Sequence, residues 1–124
     1  DTGAEQLYTA YRSISPGVSL NGDLPKGITL QNGVLLPSRA LGTMKIGKRV
    51  AQNIVGKALE LGFRAVDTAP SYKNESEVGA GLGDDDFCIV KVPYRAVWSK
   101  QVREEIVQSL ENLNKERCSL LLLH

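Results

Sequence analysis

The feature that most constrains the fold is a regular alternation of short apolar segments with longer amphipathic ones, which begins after Pro37 and runs to His124. Arg39–Thr43, Phe63–Asp67, Phe87–Val92 and Cys118–Leu123 read as strands. Between them, apolar residues recur at helical spacing. In the first such stretch Val50, Ile54 and Ala58 recur with Ala51, Val55 and Leu59 as far as Gly62, a residue suited to a helix C-terminal cap. The second, Asn74–Leu82, carries Glu75 and Glu77 in its first turn, where carboxylates suit the helix dipole, and Gly83 ends it. In the third, Ser99 is placed to cap a helix that buries Val102, Ile106, Leu110 and Leu113. Strand and helix in this order predict right-handed parallel βαβ units, an α/β fold with helices covering the strands. A closed eight-stranded barrel takes about 250 residues, so four such units make about half of one.

Ahead of the repeat, Ile28–Leu30 and Val34–Leu36 flank Asn32 and Gly33, which predicts a β-hairpin. Residues 1–27 hold no sustained period, although Leu7, Tyr11 and Ile14 are spaced to share one face of a short helix. They read as an N-terminal arm before one globular unit over 28–124. The 124 residues suit a single domain. With 42% apolar and 23% charged residues the chain is built to fold.

Charge and composition then narrow the function. Fifteen Lys and Arg against fourteen Asp and Glu leave +1, so no basic field draws nucleic acid or anionic lipid. The longest Leu/Ile/Val run is Leu120–Leu123, far short of the roughly 20 apolar residues of a spanning helix. Cys88 and Cys118 sit in apolar stretches and read as small buried hydrophobes rather than a disulfide framework. One His, with no Cys-x-x-Cys and no His-Glu-x-x-His, supplies no four-ligand zinc site. Gly79, Gly81 and Gly83 in GAGLGDDD lack the spacing of a dinucleotide fingerprint and follow a helix start rather than a strand. The first residue is Asp1 and no signal-peptide pattern follows, which suggests a processed or truncated intracellular product, in cytoplasm or organelle, with the compartment left open.

Parallel units point all strands the same way, so residues at their C-terminal ends gather on one rim. Asp67 ends FRAVD, Lys91 lies near the end of FCIVKV, His124 follows SLLLL, and Tyr72 sits in the loop after Asp67. A carboxylate, an ammonium, a phenol and an imidazole on one rim suit protonation of a carbonyl oxygen as negative charge develops there. Tyr72 would be the acid, with the Lys91 ammonium stabilising the phenolate left behind. Asp67 would hold Lys91 in place, and neutral His124 would hydrogen-bond and orient the carbonyl. The plainer alternative is an Asp67–Lys91 ion pair with Tyr72 as a rim aromatic and His124 as a terminal hydrogen-bonded residue.

Here the residues resemble a known family. The segments LQNGVLLPSRALGTM, ALELGFRAVDTAPSYKNESEVGAGL, FCIVKV and SLENLNKERCSLLLLH are similar to the N-terminal half of the aldo-keto reductases, over residues 28–124. The signature DTAxxYxNExExG appears as DTAPSYKNESEVG. The resemblance implies a (β/α)8 barrel of TIM type, NADPH bound without a Rossmann fold, and hydride transfer to a small-molecule aldehyde or ketone. Asp67, Tyr72, Lys91 and His124 match the four catalytic positions, with Tyr72 as the acid. Gly42, Thr43 and Asp67 match positions on the nicotinamide side of the cofactor.

Two departures follow from the same comparison. Met44 stands where many relatives carry an aromatic that lines the substrate pocket, and VPYRAVWSKQ replaces a Thr-Lys-Leu-Trp type of segment. The family's pyrophosphate loop, 2'-phosphate clamp and nicotinamide-stacking aromatic belong to the other half of the barrel. The 124 residues alone are therefore expected to be inactive, and a terminal α-carboxylate on His124 would compete for Lys91. The alternative is an inactive reductase-derived structural or accessory subunit, with a protein partner covering the open half-barrel.

Overall fold

The computed structural model describes residues 26–124, so the arm and its Leu7, Tyr11 and Ile14 stripe lie outside the described residues. The chain divides into two compact units between Ser38 and Arg39. In the first, β1 (Gly27–Thr29) pairs antiparallel with β2 (Leu35–Pro37), Ile28 opposite Leu36. The Gly33 N–H donates to Leu30 O at 2.9 Å and the Leu30 N–H to Val34 O at 2.8 Å. Gly33 takes φ 83°, the left-handed conformation that a three-residue hairpin loop requires of its last residue. The Asn-Gly signal is thus a hairpin, and Leu30 and Val34, read from sequence as strand ends, close its loop.

The second unit runs β3 (Ala40–Gly42), α1 (Lys48–Glu60), β4 (Ala65–Asp67), α2 (Glu75–Gly81), β5 (Phe87–Val92), α3 (Tyr94–Trp98), α4 (Val102–Leu113) and β6 (Leu120–Leu123). The four strands form one parallel sheet in chain order, β3-β4-β5-β6. Period-2 alternation divides their side chains between two faces. Val66, Cys88 and Val90 pack into one core with Ala51 and Val55 of α1, Val78 and Leu82 at α2, and Leu113 of α4. Asp67, Ile89 and Lys91, the alternate residues, therefore turn to the face away from the helices.

Helix α1 ends in a Schellman motif. Gly62 is left-handed at φ 102°, its N–H donates to Leu59 O at 3.1 Å, and the Phe63 N–H donates to Ala58 O at 3.0 Å. Asn114, at φ 54°, closes α4 in the same way, with Asn114 and Lys115 donating to Glu111 and Leu110. Glycines of the GAGLG run serve packing. A Cβ on Gly79 would overlap the Leu113 backbone, and one on Gly81 would lie 2.7 Å from Gln52 O and 2.8 Å from Val55 Cβ. Both positions let α2 approach its neighbours closely.

Three details depart from the sequence reading. Val50 and Ile54 of α1 are 48% and 38% exposed, because the stripe Ala51, Val55 and Ala58 faces the core and leaves its flank to solvent. Ser99 does not cap α4: it ends α3, its hydroxyl donating to Arg95 O at 3.0 Å, and Gln101 stands at the start of α4 without a side-chain cap. The buried residues of α4 are Ser109 and Leu113, while Val102, Ile106 and Leu110 are half-buried. Cys88 is buried and Cys118 half-buried, both as free thiols. Among the described residues no helix is long and apolar enough to cross a membrane.

Candidate active site

Register places the site. Gly42 pairs with Asp67 and Asp67 with Ile89, and Lys91 lies two residues beyond Ile89 on the same face. β5 ends one residue later, at Val92, and the long Lys91 side chain reaches across to Asp67 at the end of β4. The loop after β4 turns sharply because Pro70 opens a single 3-10 turn, Pro70–Tyr72, and Lys73 follows in the left-handed conformation at φ 57°. The Tyr72 and Lys73 N–H groups donate to Ala69 O and Pro70 O, both at 3.1 Å. That turn carries the Tyr72 phenol over the sheet end.

The Lys91 ammonium has three protons and three acceptors. It donates to Asp67 Oδ1, to Tyr72 Oη at 3.1 Å and to Thr68 O at 3.2 Å. Its side chain is 11% exposed and that of Asp67 34%. Burial pulls the Lys91 ammonium down, but its hydrogen bonds to Asp67 and Tyr72 and the negative charge of Asp67 outweigh that, and the net shift is upward. Lys91 is therefore a fixed positive charge. Because the Tyr72 oxygen accepts from Lys91, the phenol's own proton is turned to another acceptor.

The His124 N–H donates to Val92 O at 2.9 Å, extending the β5–β6 ladder by one step. Its ring meets the Tyr72 ring edge-on, with centroids 6.0 Å apart. All four predicted residues are thus brought together: Asp67, Tyr72 and Lys91 by hydrogen bonds, and His124 through its ring. Of the two other positions singled out, Gly42 lies beside Asp67, and among the described residues no atom stands within 4 Å of where a side chain would be. That bare backbone leaves room for a flat ring against the strand end, which fits the nicotinamide end of a cofactor. Thr43 is fully buried, and both its N–H (3.1 Å) and its hydroxyl (2.8 Å) donate to Asp67 O. It braces the backbone of Asp67.

Two contributors escape the sequence reading. The Thr68 carbonyl takes the third Lys91 proton, and no side chain advertises a backbone acceptor. Asn74 stands at the N-cap of α2, where an Asn ordinarily caps, but its side chain makes no cap bond. It reaches instead to Thr43 O and Ile46 O, both at 2.9 Å.

Comparison with known proteins bears on the family and the fold. Residues 40–124 match the Aldo/keto reductase family. Methylglyoxal reductase DkgA of Escherichia coli is 33% identical over 109 residues, 81% of this chain and 38% of that protein. An NADPH-dependent aldose reductase of Saccharomyces cerevisiae is 46% identical over 55 residues, 44% of this chain and 17% of that protein. The crystal structure of an aldo-keto reductase enzyme from a Medee basin deep-sea metagenome library superposes with a TM-score of 0.73 at 33% identity, covering 79% of this chain and 38% of that one. The chain thus spans about 38% of the length of its first relatives, and its parallel units correspond to part of their TIM barrel. This chain belongs to the aldo/keto reductase family.

Proposed function

We propose that this chain carries the proton-delivery part of an NADPH-dependent reductase that converts a small aldehyde or ketone to an alcohol, with Tyr72 as the general acid. The observation that carries the reading is the saturation of Lys91: with its three protons committed, one of them to the Tyr72 oxygen, the phenol can give its proton only outward. A carbonyl oxygen seated within hydrogen-bond reach of Tyr72 Oη would accept it as charge develops. The ammonium stabilises the phenolate that remains. Asp67 keeps Lys91 charged and in place, and Thr43 keeps Asp67 in place. His124, beside the Tyr72 ring, would hydrogen-bond the same carbonyl oxygen and set its direction. NADPH, when bound, supplies the hydride. Gly42, Thr43 and Asp67 would border its nicotinamide end, Gly42 by its bare backbone and Thr43 through its grip on Asp67.

Activity would require the further barrel units that the longer relatives possess. Among the described residues β6 is paired on one side only, and Leu121, Leu122 and Leu123 are 40%, 39% and 68% exposed; this supports the requirement, since an unpaired apolar edge calls for a neighbour. The same edge favours a second reading, an accessory subunit whose partner covers it. The intact natural polypeptide carrying this sequence decides between them when assayed for NADPH oxidation with a panel of aldehydes and ketones. Turnover is the expected result. No turnover with any carbonyl, together with elution in a larger complex, would reject the reductase and favour the subunit.

A further inference from the structure

We propose that Asn74 is a positioning residue for the acid, tying the turn that carries Tyr72 to the loop after β3; the proposal rests on the carbonyl-reductase reading. Both protons of its amide are used, one on Thr43 O and one on Ile46 O, each at 2.9 Å. Thr43 is held from the other side as well, since its N–H and hydroxyl both donate to Asp67 O. Asp67 and Asn74 therefore grip the same residue, and Tyr72 lies between them in the chain. The result is a closed circuit, Asp67 to Tyr72 to Asn74 to Thr43 and back to Asp67, with the phenol on the covalent stretch between its two anchors.

Asn74 is 1% exposed, and among the described residues its buried Oδ1 has no hydrogen-bond partner. A buried oxygen left unpaired is costly, so the acceptor end of this amide adds nothing to stability. The two donors are the part of the side chain that is used. Helix α2 has a separate tie: Asn112 Nδ2 donates to Glu75 Oε1 at 3.1 Å. That second tie provides a control, because it holds the same helix without touching the β3–α1 loop.

The test compares Asn74→Ala, Asn74→Ser and Asn112→Ala in the intact natural polypeptide, by steady-state kinetics and by amide hydrogen exchange. Asn74→Ala is expected to lower kcat about 10- to 100-fold, the effect of a small misplacement of a reacting group, with KM for the carbonyl changed less than about threefold. Exchange at the Ile46, Tyr72 and Lys73 amides should quicken in the same variant. Asn112→Ala should leave kcat and those three amides as in the wild type. An equal kcat loss in Asn74→Ala and Asn112→Ala, or unchanged exchange at the three amides in Asn74→Ala, would overturn the proposal. Should Asn74→Ala not fold, Asn74→Ser, which keeps one donor, takes its place; failure of both to fold would assign the residue to folding and end the proposal. A wild type without carbonyl reduction fails the reductase reading alone, while the exchange comparison still reads the Asn74 tie.

Discussion

At the scale of single residues, the site is governed by how many partners each polar group can take. Lys91 is charged and saturated, so Lys91→Met strips the donor from Asp67, Tyr72 and Thr68 together. A loss of about 1–3 kcal/mol is expected by urea unfolding, since Asp67 and Tyr72 are half-buried and Thr68 is buried. Because the Lys91 value is raised in the folded protein, this contribution is fully present below the ordinary lysine value of about 10.4 and fades as pH climbs through the folded value. The stability gap between wild type and Lys91→Met should therefore be flat through neutral pH and close above about pH 10.4; a gap that widens there would contradict the ion pair. Burial first, then the neighbouring Cys118, pushes the Cys88 thiol up to about 12. Iodoacetamide should label Cys118 well before Cys88 in the native protein, as peptide mapping would show, and the reverse order would count against the burial described. That Asp67, Lys91 and His124 share one rim was legible in the sequence because strand direction brings strand ends together, and Tyr72 was legible beside them as part of the loop that follows Asp67. Asn74 was not, because an Asn before a helix reads as a cap, and its reach to a loop 31 residues away is a tertiary fact.

Among the elements, legibility followed length and periodicity. Phe87–Val92 emerges with the bounds its apolar run suggests, and Gly62 ends α1 because only a left-handed residue completes the motif there. Helix α3 was missed since five residues cannot display a helical period, and Ser99, which looked like the start of α4, belongs to the end of α3. The exposed flank of α1 was also unreadable, as spacing marks an apolar stripe but not how much of it a neighbour covers. Close packing of α2 leads to a direct expectation. Gly79→Ala would force a methyl into the Leu113 backbone, which cannot rotate away, so a destabilisation of about 1–3 kcal/mol or more is expected. Urea unfolding of the variant checks it, and an unchanged midpoint would show that α2 and α4 are not so close.

For the whole molecule, the deciding fact is that four parallel strands in chain order open all their C-terminal ends on one side. The hairpin and the βαβ order were readable from turn chemistry and period, and the half-barrel followed from counting units. The same count leaves β6 paired on one side only among the described residues. Expressed alone, the 124-residue chain is expected to self-associate through that apolar edge, and a monodisperse monomer by light scattering would speak against an exposed edge. The central claim, that Tyr72 delivers the proton, is tested most directly by single-turnover reduction in the intact natural polypeptide, comparing wild type with Tyr72→Phe at saturating NADPH. The account predicts a chemical step slowed by about 10²–10⁴-fold with NADPH binding unchanged; a chemical step of undiminished rate in Tyr72→Phe would contradict it.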